Sequence, residues 1–173
     1  MKSVEAVVLA IQQKNDSSSL VHLYTREYGR ILGILYGKKG SSKRSPQKAN
    51  RSLFTPLSWI DLTIKDSPAQ ASFFTIQTAS YHYVPRFLNT DVKRQFIALF
   101  MAEALYKTLQ HPLADDRLFD FVTKQIQQLD TADSVEHIHT DFRFQLSYLL
   151  GYGGNPIEEL KQLKTEAVLK EIL

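Results

Sequence analysis

Six basic side chains, Lys38, Lys39, Lys43, Arg44, Lys48 and Arg51, fall within fourteen residues of one another, and no acidic residue occurs between Glu27 and Asp61. Gly37, Gly40, Ser41, Ser42 and Ser45 are interleaved with them, so the segment reads as a small-residue loop that can follow a polyanion. Lys and Arg that track a phosphate backbone supply most of the affinity of a protein for nucleic acid. Arg30, Tyr24 and Tyr36 lie on the apolar runs that precede this loop and extend the candidate surface; aromatic rings on a sheet face are stacking platforms for single strands, although a place in the barrel core or rim is the better reading of each tyrosine. The competing reading, a solvated loop without a partner, is weakened by the charge distribution. Residues 1–60 hold ten Lys and Arg against three Asp and Glu, while residues 61–173 hold eleven against fifteen. A chain basic at one end and acidic at the other points to a polyanionic partner for the basic part.

Catalytic patterns are not found. His137, His139 and Asp141 form the one cluster with metal-ligand chemistry, but helix positions two apart do not share a face, so surface histidines are the better reading. His22 and His82 fall in predicted strands and read as packing residues. The serines between Ser17 and Ser52 lack a nucleophile-elbow pattern. Gly37-Lys38-Lys39-Gly40-Ser41 lacks the spacer of a phosphate-binding P-loop, and Gly151-Tyr152-Gly153-Gly154 follows a predicted helix instead of opening one after a strand. The chain has no cysteine, which excludes disulfides and thiolate zinc sites and fits a reducing compartment. The first eleven residues are too short a run, interrupted by Glu5, for a secretory signal, and no apolar stretch has the length of a membrane span. The expectation is a cytoplasmic protein that is not an enzyme and needs no cofactor.

The elements that must position the basic loop change character near Val84-Pro85. Before that point the apolar residues come in short β-type runs: 4–11, 20–24, 30–36, 53–64 and 71–84, with turn residues at Glu27-Tyr28-Gly29 and Lys65-Asp66-Ser67-Pro68. Pro56 places an edge or a bulge at the start of the fourth run. Five strands without a helix between them bury their edges by closing into a barrel, and the five-stranded barrel that binds oligonucleotides is the OB-fold; strand count alone leaves an SH3-like barrel open. After Pro85 the period becomes helical. Thr90 is a predicted N-cap ahead of Phe96, Ile97, Phe100, Met101 and Ala104. Pro112 ends that helix. Asp115 caps a second helix carrying Leu118, Phe119, Val122, Ile126 and Leu129. A third starts near Asp133 or Ser134 and buries Val135, Ile138, Phe142, Leu146 and Leu149. Gly151 closes it in a left-handed conformation, and a last helix runs from about Pro156. Phe119 and Phe121, like Phe142 and Phe144, are two apart and cannot both face one side. One of each pair packs on the barrel or another helix, or lines a groove for a partner peptide. The prediction is an α+β chain, with an OB-fold nucleic-acid-binding domain over 1–84 and an all-α domain over 85–173.

Several stretches also resemble a known family. Residues 6–9, then 16–30 with Asp16, Thr25 and Gly29, resemble the opening of RecO proteins. Gly37 followed by Lys38 and Lys39, residues 53–57, the helical stretches 98–106 and 118–121, and residues 142–146 leading into Leu150-Gly151-Tyr152 match in order and spacing. The flavour is that of RecO proteins of Bacteroidetes. The resemblance implies an OB-fold followed by a helical domain. It further implies a recombination mediator that binds single- and double-stranded DNA, anneals strands, binds RecR and the acidic C-terminal tail of single-stranded DNA-binding protein, and helps load RecA. Many relatives carry a four-cysteine zinc site after the Gly-aromatic element, which this chain cannot form. Residues 156–173 resemble the extreme end of longer relatives, so an intervening piece is expected to be absent near the C-terminus. The rival readings are an OB-fold protein-interaction adapter, in which the aromatic helical domain holds an acidic peptide, and an RNA-binding protein without annealing activity.

Overall fold

The computed structural model describes residues 1–37, 51–66 and 73–173. They form two compact units: Met1–Tyr83 together with His111–Asp115, and Val84–Gln110 together with Asp116–Leu173. The first unit is a closed barrel of β1 (Lys2–Asn15), β2 (Ser18–Thr25), β3 (Gly29–Tyr36), β4 (Trp59–Asp66) and β5 (Phe74–Tyr81). The strand order is β1-β2-β3-β5-β4, with β3 and β5 parallel and every other pair antiparallel. This order separates the fold from a simple meander and agrees with an OB barrel.

Period-two alternation builds the core. Val4, Ala6 and Val8 of β1, Val21 and Leu23 of β2, Ile31 and Leu35 of β3, Ile60, Leu62 and Ile64 of β4, and Ile76 of β5 fill one buried cluster. Gly33 takes the inward position between Ile31 and Leu35 because a Cβ there would lie 2.7 Å from Cδ1 of Ile76. The missing side chain lets β3 approach β5, and the parallel pairing that closes the barrel starts at this residue, Gly33 opposite Phe74.

Two strands differ from their sequence expectation. The β1 strand continues through the polar residues 12–15, because antiparallel pairing with Ser18–Leu20 satisfies their backbone groups. The predicted fourth strand, 53–64, is a 3-10 turn at Arg51–Leu53, a bend, and then β4 from Trp59. Pro56 cannot donate to a ladder, and Leu57 adopts a left-handed backbone, φ 64°. Such a conformation costs on the order of 1–2 kcal/mol in a residue other than glycine. Complete burial of the Leu57 side chain offsets this by roughly 1.5–3 kcal/mol, and its N–H donates to the Val8 carbonyl at 2.8 Å.

The second unit contains α1 (Val92–Thr108), α2 (Asp116–Thr131), α3 (Ile138–Leu149) and α4 (Lys164–Ile172). Asp91, not Thr90, caps α1: its carboxylate accepts from Arg94 N at 3.1 Å, while the Thr90 hydroxyl donates to the Phe87 carbonyl. The α1 helix ends at Thr108, ahead of Pro112, and α3 begins later than the sequence spacing indicates, with Val135 buried in the preceding turn. Gly151 is left-handed, φ 87°. Pro156 does not open the last helix. A 3-10 turn, Glu158–Leu160, intervenes, and α4 starts at Lys164, where Glu103 of α1 accepts from the N–H groups of Lys164 and Thr165 at 3.0 and 3.1 Å. Those are donors that a helix N-terminus leaves without intrahelical partners.

Candidate nucleic-acid interface

On the outer side of β2 and β3 the register is Tyr24 opposite Arg30, His22 opposite Leu32, Leu20 opposite Ile34 and Ser18 opposite Tyr36, with Ser18, His22 and Tyr24 buried. Arg30 is half-buried, with its guanidinium 3.4 Å from Nδ1 of His22. Burial first, and the adjacent Arg30 charge second, hold the His22 imidazole below its ordinary pKa. A neutral ring fits beside a cation, since a second positive charge there would be repelled. Tyr36 closes β3 with its side chain 53% exposed, available to a base. Tyr24 is corrected. Its side chain is buried, 1% exposed, and its hydroxyl donates to the Asp115 carbonyl at 3.3 Å. The returning segment His111–Asp115 belongs to this same unit, so the Tyr24 ring serves as an anchor for that segment instead of a stacking platform.

Lys38, Lys39, Lys43, Arg44 and Lys48 lie outside the described residues. The points where their segment leaves and rejoins the barrel are described. On departure, Gly37 N–H donates to the Ser17 carbonyl at 2.7 Å. Ser17 sits in the β1–β2 turn, which Asn15 organises by accepting from Ser17 N, Ser17 Oγ and Ser18 Oγ at 3.0, 3.1 and 2.8 Å. On return, Arg51 is exposed while Leu53 and Phe54 enter the barrel core. The basic segment is therefore tethered beside the β1–β2 turn at one end and plugged into the core at the other.

Sequence reasoning missed Lys14 and Phe73. The Lys14 ammonium lies 5.8 Å from the centroid of the Phe73 ring, and both residues border the described part of this region. Lys14 gives a sequence signal only as one polar residue among several, and Phe73 only as one apolar residue of a strand-like run.

Other predicted chemistry resolves into structure. Nε1 of Trp59 donates to Glu5 at 2.8 Å, Arg26 pairs with the other Glu5 oxygen at 3.1 Å, and His82 stacks on Trp59 at 4.6 Å while bonding Asp61 at 2.9 Å. His137 occupies the N-cap position of α3 without a side-chain capping bond and is exposed, whereas His139 packs edge-on against Phe100 at 5.7 Å. Among the described residues no group of three His, Cys, Asp or Glu could hold a metal ion, and no helix is long and apolar enough to cross a membrane.

Within the helical unit the aromatic pairs split. Phe119 and Phe142 are fully buried, Phe121 stacks on Phe142 at 5.5 Å, and Phe144 stands 56% exposed with its ring against Tyr148 at 5.0 Å. Packing is thus not the fate of Phe144. An open groove of about 600 Å³ between α2 and α3 is lined by Phe121, Phe144 and Tyr148 with Arg117 and Lys124.

A closed barrel of OB strand order with a basic connection between β3 and β4, joined to a four-helix unit, defines an OB-barrel protein with a helical domain. Residues 1–81 match the family model described as recombination protein O N terminal, and residues 89–155 match recombination protein O C terminal. Among curated proteins, the chain is 34% identical over 160 residues to the DNA repair protein RecO of Porphyromonas gingivalis, covering 88% of this chain and 64% of that one. It is 32% identical over 153 residues to the protein of the same name from Phocaeicola vulgatus, covering 87% and 61%. With that of Haemophilus influenzae the identity is 29% over 153 residues, covering 84% and 58%. The chain belongs to the RecO family. It spans less than two thirds of the length of these relatives.

Proposed function

We propose that this chain is a DNA-binding mediator of recombinational repair, with its nucleic-acid-binding domain over 1–84 and no catalytic step of its own. In this reading it binds and anneals DNA strands and works with RecR and single-stranded DNA-binding protein in loading RecA, in the cytoplasm. The carrying observation is the attachment of the basic segment: Gly37 is bonded to the β1–β2 turn, beside the outer face that holds Arg30 and Tyr36. Lys38, Lys39, Lys43, Arg44, Lys48 and Arg51 supply phosphate contacts, Arg30 extends them over β3, and Tyr36 meets a base.

The test is fluorescence anisotropy of labelled single-stranded and duplex DNA at several salt concentrations. Replacing Lys38, Lys39, Lys43 and Arg44 together by Gln is expected to flatten the slope of log K against log salt by roughly 0.7 per lost contact on single strands and 0.9 on duplex. An unchanged slope would remove the segment from the interface. RNA of the same sequence serves as the competitor: preference for RNA would favour the RNA-binding reading, because only RNA offers a 2′-hydroxyl.

A second reading concerns the helical unit. The groove holding Phe144 and Tyr148 carries Arg117 and Lys124 against one carboxylate, Asp120, so its apolar walls bear a net positive charge, which suits the acidic tail of single-stranded DNA-binding protein. Calorimetry with that tail peptide is expected to register binding that Phe144→Ala weakens; equal affinity in the variant would exclude the groove.

A further inference from the structure

Deepening the DNA-binding reading, and resting on its use of Arg30, we propose that His22 is a positioning residue for that phosphate contact: its ring accepts from the Arg30 guanidinium and leans it along the outer side of β3 toward the start of the basic segment. The two side chains meet directly, with Nη2 of Arg30 at 3.4 Å from Nδ1 of His22. The register allows it. Arg30 stands opposite Tyr24 and His22 opposite Leu32, so the pair is one diagonal step apart on the same side of the ladder, within reach of a long side chain. The direction of that step matters. From the level of Arg30 the ladder runs past His22 and Leu20 to Ser18, and next to Ser18 the Ser17 carbonyl receives the N–H of Gly37, where the basic segment begins. A guanidinium drawn to His22 is therefore drawn toward the other cations. Leaning the opposite way, it would face the turn between β2 and β3, which carries Glu27.

The chemistry of the pair decides which group gives and which takes. Arginine offers donors only, so Nδ1 of His22 is the acceptor and the ring proton sits on Nε2. Such an acceptor is a neutral imidazole, and burial first, with the Arg30 charge second, favours the neutral ring. His22 is 7% exposed, so its ring has little room to turn away and is itself shielded from a phosphate. It acts through Arg30 and not beside it. The guanidinium is a rigid planar fork of five donors, so one bond orients the whole fork. At 3.4 Å that bond is long, and the effect is a preference in orientation instead of a locked geometry.

The plain alternative is that His22 only packs. A double-substitution cycle on single-strand binding separates the two. Anisotropy is measured at neutral pH over several salt concentrations with a labelled thymidine oligonucleotide. Arg30→Gln removes the phosphate contact and is expected to flatten the slope of log K against log salt by about 0.7. His22→Leu fills the buried position without an acceptor and should weaken binding about three- to tenfold, yet cause no further loss in the Arg30→Gln background. His22→Asn sets an oxygen near the place of Nδ1 and should bind close to the wild type. Urea midpoints read by Trp59 fluorescence certify the barrel of each variant, and His22→Phe takes the place of His22→Leu if that variant unfolds. A packing role predicts the same loss with and without Arg30, and such additivity overturns the proposal. So does an Asn variant that binds as weakly as the Leu variant. Full affinity in His22→Leu beside a weakened Arg30→Gln overturns the positioning role and leaves the DNA-binding reading standing. An unchanged slope in Arg30→Gln takes Arg30 out of the interface and the proposal with it, while the basic segment is judged by its own substitutions. Failure of the wild type to bind overturns both.

Discussion

Removal of the Asp130 carboxylate should cost the helical unit several kcal/mol. Its side chain is fully buried near the C-terminal end of α2, where the helix dipole disfavours a carboxylate. The position is tolerated because the carboxylate gathers three backbone donors from the segment ahead of α1: Arg86 N at 2.9 Å, Phe87 N at 2.8 Å and Leu88 N at 2.8 Å. Arg94 completes the joint by donating to the carbonyls of Leu129 and Ala132. In Asp130→Ala all three donors lose their acceptor. Leu88 is buried, so its N–H forfeits the full penalty of roughly 1–3 kcal/mol. Arg86 and Phe87 are exposed, so their N–H groups can turn to water and each loses about 0.5–1 kcal/mol. The expected total is about 2–5 kcal/mol. Asp130→Asn keeps the oxygen that serves Phe87 and Leu88, and with it the 3.1 Å branch from Arg86 N, but sets an NH2 group against that N–H in place of the 2.9 Å branch, for about 1–2 kcal/mol. Urea unfolding followed by far-UV circular dichroism reads the helical unit, and the single tryptophan, Trp59, reads the barrel. The reasoning is refuted if Asp130→Ala lies within about 0.5 kcal/mol of the wild type, the range of an ordinary surface change, or if Asn is as damaging as Ala.

Two further outcomes follow from the barrel and the histidines. Gly29 has φ 64° and a Cβ there would meet the Leu113 carbonyl oxygen at 2.3 Å, whereas a Cβ on Gly153, φ 60°, would meet nothing within 4 Å; Gly29→Ala should therefore lose more than about 3 kcal/mol and Gly153→Ala about 1 kcal/mol, and equal losses in urea titrations would show that the Leu113 approach is irrelevant. Burial lowers the pKa of His22, with Arg30 adding to it, and burial lowers that of His139 against the opposing pull of the Glu136 backbone and the Glu166 charge. The unfolded chain then takes up these protons first as pH falls, so stability is full above about 6.5 and declines below it until the folded-state values are reached. A urea midpoint that falls between neutral pH and about pH 5.5, and falls less in His139→Gln, is the expected result; a flat midpoint would contradict it.

What the sequence made legible follows from the range over which each signal acts. The alternation of Val4, Ala6 and Val8, and of Ile60, Leu62 and Ile64, is local, as is the change to helical period after Pro85, so strands and helices were readable in order. The bend at Pro56-Leu57 was half readable: proline gave a warning, but the left-handed Leu57 depends on burial that only the closed barrel supplies. Burial of Tyr24 agrees with its reading as a core or rim residue and removes it from the candidate surface, but its partner, Asp115, lies 91 residues away and no local pattern points to it. Asp130 and Glu103 act on backbone donors 42–44 and 61–62 residues distant, and no spacing rule connects a carboxylate to a remote N–H. Phe144 was legible only as one member of a pair that could not share a face; which member would stay exposed was decided by the packing of Phe121 on Phe142.

The topology also explains why the basic charge sits where it does. In a barrel ordered β1-β2-β3-β5-β4, β3 and β4 are not ladder neighbours. A tight hairpin cannot join them, so the chain needs a longer connection between Tyr36 and Trp59. The fold requires a long connection at this place whatever its composition, and it fixes that connection by the Gly37–Ser17 hydrogen bond and by burial of Leu53 and Phe54. Among the described residues, the core cluster draws on this connection only at those two positions. Charge can accumulate ahead of them without burdening the core, and it can be removed the same way. Replacing Lys38, Lys39, Lys43 and Arg44 should leave the Trp59 unfolding midpoint within about 0.5 kcal/mol of the wild type, so that any loss of DNA binding reads phosphate contact alone. A variant that unfolds early would mean that the connection is built into the barrel after all, and the separation of scaffold from interface would fail.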